Sequence, residues 1–404
     1  MFPGGLSWAK EVLSFEDCVR LLRQNNAELL SAEENYKSLQ SQVRSYYSSY
    51  LPQISANLGY QKGETTATDT EGYTASLSAT QNIFNGFADS AKISEAEGKL
   101  KVAEANLKAV KAKLSYDLKS AFVGTLYAQD SIKLSKSILQ RRTENLNMVE
   151  LRFQSGRENK GSLLLSRANL KQAQLDSLKA EHALDNSRSA LIRVLGLNPE
   201  DQMEVSGSFP QSLPPKELPS FVDLVEKTPE KLQAQGQIQT AAGVLQESTS
   251  GFLPTLNVSG AVGKRGVGFF PEEDTWNVGA SLSWSLFSGG RDYFSRKSAF
   301  SQKLVAENNW RNSRLDMIAQ LKLSYLGFVE AVEELKVSDS FVEAGTVRAE
   351  IGRSKYNNGL LTFDDWDRIE NDLITYQKNQ ILKKRDRAVA EAGWEKTQGT
   401  GVLE

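Results

Sequence analysis

The sequence predicts an α+β membrane protein built by internal duplication, each half running helix, strand, strand, long helix, helix. Three observations predict it. The prolines leave two very long gaps. Heptad seams fill those gaps. Short alternating strands sit just before each seam.

The prolines come first. Among 404 residues there are 10, with none between Pro52 and Pro199 and none after Pro271. Proline is nearly excluded from helix interiors, so each gap has room for very long helices. Four prolines crowd into "PQSLPPKELP", Pro210–Pro219, which marks a linker. The first repeat is therefore 12–195, the Pro-rich linker or equatorial region 196–220, and the second repeat 221–397.

Within the gaps, Ile93, Ala96, Leu100, Ala103, Leu107, Val110 and Leu114 alternate steps of three and four, a coiled-coil seam. Ile318, Leu321, Tyr325, Phe328, Val332 and Leu335 do the same in the second half. Long helices are expected at about 87–155 and 161–195, then at about 290–357 and 363–395. The longest would span roughly 100 Å at 1.5 Å per residue. "RFQSG", Arg152–Gly156, and "KYNNG", Lys355–Gly359, stand 203 residues apart and break the helices. Gly156 and Gly359 suit the left-handed residue that ends a helix.

Strands are expected at about 53–61 and 73–84, and at about 254–263 and 275–287. In the last, Trp276, Val278, Ala280, Leu282, Trp284 and Leu286 alternate with Asn277, Gly279, Ser281, Ser283 and Ser285. Such alternation fits a sheet on a soluble core or a barrel wall with lipid outside and water inside. Length favours the wall, since about 9–11 residues span hydrocarbon when tilted. So do aromatics at the strand ends, which suit interfacial girdles: Tyr60, Tyr73 and Trp276 at one side, Trp284, Phe84, Phe287 and Tyr50 at the other. The hairpin loops 61–72 and 264–274 are polar, except for Phe269 and Phe270. Four strands cannot close a barrel, and lipid does not tolerate open edges. Three chains would give twelve strands.

Composition excludes much else. The 48 Lys and Arg balance 50 Asp and Glu, so no pull toward nucleic acid is expected. One Cys and one His cannot make an internal disulfide or a Cys/His metal cluster. Four Met argue against a soft-metal path. No cofactor motif and no nucleophile–base pair is found, so no enzyme is expected; His182 reads as a solvated or packed side chain. The first residues lack the apolar core of an export signal. Cys18 reads as a packed thiol rather than a lipid anchor.

The duplication extends to the strand-to-helix corners. "IFNGFAD", Ile83–Asp89, and "LFSGGRD", Leu286–Asp292, share Phe-x-Gly at the same 203-residue offset. "YLP", Tyr50–Pro52, and "FLP", Phe252–Pro254, precede each first strand. With the two glycine breakers, these features resemble the TolC-like outer membrane factors (outer membrane efflux proteins) over about 12–397.

The resemblance implies a homotrimer whose 12-stranded β-barrel continues into a long α-helical barrel. It implies the outer membrane of a Gram-negative bacterium, with a large periplasmic part. It implies a passive exit duct in a tripartite efflux or type I secretion system. The partners would be a periplasmic adaptor (membrane fusion) protein and an inner-membrane pump or ABC exporter. It places a gate at the periplasmic helix tips. Tyr356 and Gly359 match the family's second turn, and Asp365 falls on an aperture acid. Arg368 stands where a second acid is common, beside Asp364 and Asp367. Arg157, Glu158 and Lys160 lie at the other turn, with Ser162 at a position where many members have Asp. Gly156, Gly359 and Leu360 become adaptor-contact candidates. For Asp364, Asp365 and Asp367, simple compensation of the helix dipole competes with gating. The rival to a duct is a soluble coiled-coil protein with β-hairpins.

Overall fold

A computed structural model of the protein describes residues 11–65, 68–198, 203–207, 212–215 and 217–403. Parts of the predicted linker (199–202, 208–211 and 216), the tip of the first hairpin (66–67) and most of the segment read for an export signal (1–10) lie outside the described residues.

The element order is β1 Glu11–Leu13, α1 Phe15–Asn25, α2 Ala27–Tyr46, β2 Gln53–Thr65, β3 Thr68–Asn85, α3 Ala88–Gln154, α4 Lys160–Leu195, β4 Met203–Val205, α5 Phe221–Val225, α6 Pro229–Ser250, β5 Thr255–Gly266, β6 Glu273–Ser283, α7 Arg291–Asn357 and α8 Phe363–Gln398. The two longest helices each have 67 residues, and the helix after each has 36. Seam positions Ile93, Ala96, Ala103 and Leu114 are buried, as are Leu321, Tyr325, Phe328 and Val332. No helix among the described residues is long and apolar enough to cross a membrane. The contacts divide the chain into two units.

One unit comprises 32–107 and 229–315. It holds a sheet of four antiparallel strands in the order β2-β3-β5-β6. Register places Leu58 beside Ala75, Leu77 beside Val262, and Val262 beside Trp276. Side chains alternate across a strand, so one face carries Ile54, Leu58, Leu77, Val262, Trp276, Val278 and Leu282. The other carries Ser55, Asn57, Ser76, Ser78, Asn257, Ser259, Asn277 and Ser281. The apolar face is exposed, with Leu58 87% and Trp276 76% accessible.

The strand ends differ from expectation in two places. The first hairpin extends through much of the expected loop 61–72, where the cross-strand pair Lys62–Glu71 (3.2 Å) continues the ladder. In the second repeat, β6 stops at Ser283 rather than near 287. Its partner β5 begins at Thr255, opposite Ser283, and Pro254 before it has no N–H to extend the ladder. Trp284 instead donates Nε1–H to the Phe252 carbonyl at 3.1 Å. A bulge lies between Asn82 and Phe84, and Phe84 then pairs with Leu256 on the apolar face.

The corners after each hairpin need left-handed backbone. Gly86 and Phe87 have φ of 66° and 68°, Gly289 and Gly290 of 67° and 85°. Phe87 accepts this strained conformation where the second repeat has glycine, and its ring packs edge-on against Phe84 at 5.2 Å.

In the same unit, α3 and α6 approach through Gly98, Gly236 and Gly243. A methyl on Gly236 would lie 2.7 Å from the Gly98 carbonyl oxygen and 2.8 Å from the Val102 backbone N. Gly→Ala in a helix gains about 1 kcal/mol of propensity, but overpacking against backbone costs about 1–3 kcal/mol or more. Gly236→Ala is therefore expected to lower the urea midpoint, and an unchanged midpoint would show that the helices can part without loss.

The other unit comprises the chain up to residue 31, 108–228 and 316 onward. Ser14 and Asp17 form a reciprocal capping box at the start of α1. Cys18, Leu21 and Leu22 face inward, and burial pushes the Cys18 thiol up to about 12. A short parallel pair, β1 with β4, has no sequence signal beyond its two three-residue runs. The described linker residues are pinned. Arg387 donates to the Ser212 carbonyl at 2.6 Å, and the Ser212 N–H donates to Glu391 at 2.9 Å. The Tyr325 hydroxyl donates to the Pro215 carbonyl at 3.0 Å.

Candidate functional site

The helix tips are built by two equivalent turns. At each, the glycine N–H donates to a carbonyl three residues back, and the next N–H to one five residues back. These bonds join Gly156 to Phe153 and Arg157 to Arg152, then Gly359 to Tyr356 and Leu360 to Lys355. Gly156 and Gly359 take φ of 70° and 75°, which closes the turn without strain. Both following helices are capped by side chains, Asn159 accepting from the Ser162 N–H and Thr362 from the Asp365 N–H.

The equivalence ends at the aromatic position. Phe153 is 37% exposed, whereas Tyr356 is 1% exposed. Tyr356 stacks on Trp366 with centroids 4.4 Å apart and planes 5° apart. Val149, Leu163 and Phe363 complete the cluster, with Leu361 against it. The Arg152 guanidinium lies 4.6 Å from the Tyr356 ring centroid and donates to the Tyr356 carbonyl at 2.9 Å. The Tyr356 hydroxyl donates to Glu158 at 2.8 Å. Burial, then the bond to Glu158, raises the Tyr356 hydroxyl pKa. One aromatic ring thus ties the α7 end to the α3–α4 turn.

The acidic residues separate into different environments. Asp365 accepts from the Thr362 hydroxyl at 2.8 Å, the cap of its own helix. Asp367 is largely buried. It accepts from Arg142 at 3.1 Å, Asn169 at 3.0 Å and Asn371 at 2.9 Å, so α3, α4 and α8 converge on one carboxylate. Arg142 also donates to Asn371. Asp364, Arg368, Arg157 and Lys160 are exposed, as are Gly156, Gly359 and Leu360. Ser162 is buried beneath the turn.

Structure therefore joins Tyr356 to Glu158 and leaves Asp364, Asp365 and Asp367 apart. Arg152, Arg142, Asn169, Asn371 and Trp366 are contacts of the candidate residues that sequence reasoning missed. The 203-residue offset was one available signal, because it aligns Trp366 with Leu163 and so places it on the inward face. No cluster of metal-ligating residues occurs among the described residues.

At the sheet, the interfacial candidates take varied positions. Tyr60 packs at 4.8 Å, with its ring tilted by 39°, on Tyr73, its cross-strand partner. Trp276 and Trp284 are exposed, Phe287 is 86% exposed, and Phe84 is half-buried.

Comparison with known proteins agrees with this architecture. The chain aligns with Alkaline protease secretion protein AprF of Pseudomonas aeruginosa at 23% identity, over 71% of this chain and 64% of that protein. It aligns with Outer membrane efflux protein BepC of Brucella suis at 20% identity, over 66% of this chain and 59% of that protein. The alignments thus span less than two thirds of each relative's length. The fold matches the Campylobacter jejuni CmeC outer membrane channel with a TM-score of 0.86 and 17% identity, covering 98% of this chain and 91% of that one. The family model for outer membrane efflux proteins matches residues 18–197 and 223–399, one segment for each half, and the chain belongs to that family.

Proposed function

We propose that the chain is one protomer of a homotrimeric outer-membrane exit duct, serving a tripartite efflux or type I secretion system. One observation carries this: a four-stranded sheet, open at β2 and β6, with one exposed apolar face and one polar face. Lipid fits the apolar face and water the polar one. Open edges require closure in hydrocarbon, and three copies close them with twelve strands. The long helices of three copies form the periplasmic conduit. The cargo moves passively, driven by an inner-membrane pump or ABC exporter through a periplasmic adaptor. The exposed turns at Gly156, Gly359 and Leu360 offer that adaptor a contact.

Opening is controlled at the tips. Within each chain, Arg152, Tyr356 and Glu158 hold the two turns together. Asp364, Arg368 and Arg157 are exposed and free to meet their copies around the axis. Asp365 is committed first to capping α8, and Asp367 to Arg142.

The test is reconstitution. The protein is expected to need detergent for extraction, to cross-link as a trimer and to give unitary conductance in planar bilayers. A monomer that stays in aqueous buffer and gives no conductance would support the soluble coiled-coil alternative.

A further inference from the structure

The two hairpin ends of the sheet are built differently. The first is polar and carries its ladder out to Thr65 and Thr68. The second ends its ladder at Arg265 and Glu273 and carries Val267, Phe269, Phe270 and Pro271 in the loop between them. Phe269 and Phe270 are 71% and 82% exposed, and their rings meet edge-on at 5.0 Å. Leaving two such rings in water is unfavourable in proportion to the apolar surface they expose.

Two contacts show to which side this loop folds. Tyr73 and Gly266 are cross-strand partners in the row that continues the apolar face. Phe269 packs edge-on against Tyr73 at 5.5 Å. A Cβ placed on Gly266 would lie 3.2 Å from Pro271 Cα, so the returning chain crowds the side of the strand on which a side chain would stand. Aromatic packing and the missing side chain both put the loop over the apolar face. Tyr60, Tyr73, Phe269 and Phe270 then form one aromatic run from the wall into the loop.

We propose that the 267–272 loop is a membrane anchor, with Phe269 and Phe270 seated in the headgroup–acyl boundary of the outer leaflet. The occupant is lipid because the run is continuous with the face assigned to lipid, on which the inference rests. Ion pairs Lys264–Asp274 (3.2 Å), on the same face by the alternation, and Arg265–Glu273 (3.1 Å), on the opposite face, stand at the base of the loop, where charged headgroups suit them. Aromatic side chains favour that boundary. The anchor holds the loop outward, away from the polar side of the sheet.

The test uses a single attached fluorophore. The one native cysteine, Cys18, is fully buried and burial pushes its thiol up, so maleimide reagents favour an introduced, exposed cysteine. Phe270→Cys, Leu58→Cys and Asn277→Cys are each labelled with NBD-maleimide and reconstituted into phosphatidylcholine–phosphatidylglycerol vesicles. Quenching is read with lipid carrying a nitroxide near the headgroup end of its acyl chain, and with aqueous iodide. The Phe270 probe is expected to lose most of its fluorescence to nitroxide lipid and little to iodide. Quenching by iodide alone would overturn the anchor, and protection from both quenchers would place the loop against protein and overturn it too. Leu58 reports the wall independently. If its probe also escapes nitroxide lipid, the wall assignment fails; if only the Phe270 probe escapes, the anchor alone fails. Asn277, on the polar face, is expected to respond to iodide.

Discussion

Asp367→Ala is expected to destabilise the helical unit by about 3–5 kcal/mol, the cost of leaving one partner of a buried ion pair unmatched. Arg142 and Asp367 have side chains only 8% and 14% exposed and lie 3.1 Å apart. Removing the carboxylate strands the guanidinium in a low-dielectric site and also removes the acceptor of Asn169 and Asn371. Asp367→Asn keeps the volume and one acceptor oxygen, so its loss is smaller. The check is urea unfolding in detergent, followed by circular dichroism. Combining Arg142→Met with Asp367→Leu removes both charges, and the double variant is expected to recover most of the loss. If Asp367→Ala alone unfolds at the wild-type midpoint, the network does not hold the helices together. If the double variant is as unstable as the single one, the stranded charge is not the cause.

Trp366→Ala is expected to cost about 3–5 kcal/mol by removing a fully buried ring from the tip cluster. Its larger consequence lies in conductance. Tyr356 loses the surface on which it stacks, and with it the fixed position from which its hydroxyl reaches Glu158. The tip then loosens, and reconstituted channels should spend more time open or pass a larger unitary current. Tyr356→Phe separates the two effects. It keeps the stacked ring but deletes the hydrogen bond to a carboxylate, a change of about 1.5–3 kcal/mol. It should shift gating in the same direction with a smaller change in the urea midpoint. Wild-type conductance in both variants would remove the Tyr356 tie from the proposed gate.

The contrast between Phe153 and Tyr356 shows why the helix tips were only partly legible. The duplication aligns the two positions, and both sequences read as aromatic before a glycine turn. Burial depends on which helix packs over the ring, and that partner lies elsewhere in the chain. Similarly, Asp364, Asp365 and Asp367 are neighbours in sequence within one turn. Helical geometry points them in different directions, toward solvent, toward the Thr362 cap and toward Arg142. A cluster of acids in sequence is not a cluster in space.

Local patterns determined a good deal by themselves. Proline gaps, seams stepping by three and four, and period-two strands record the helix and strand periods directly. Glycine before a break records a left-handed residue, which few other side chains accept. The family, the duplicated order of elements and the two-faced sheet were therefore readable without coordinates. Only the tertiary structure decided where ladders stop, since β6 ends where β5 has no further partner. It alone decided that Arg142 meets Asp367 across 225 residues, that Arg152 clasps Tyr356, and that the Phe269 loop folds over Tyr73. Periodicity is a property of neighbours in sequence. Pairing, burial and charge compensation are properties of neighbours in space, and packing chooses those.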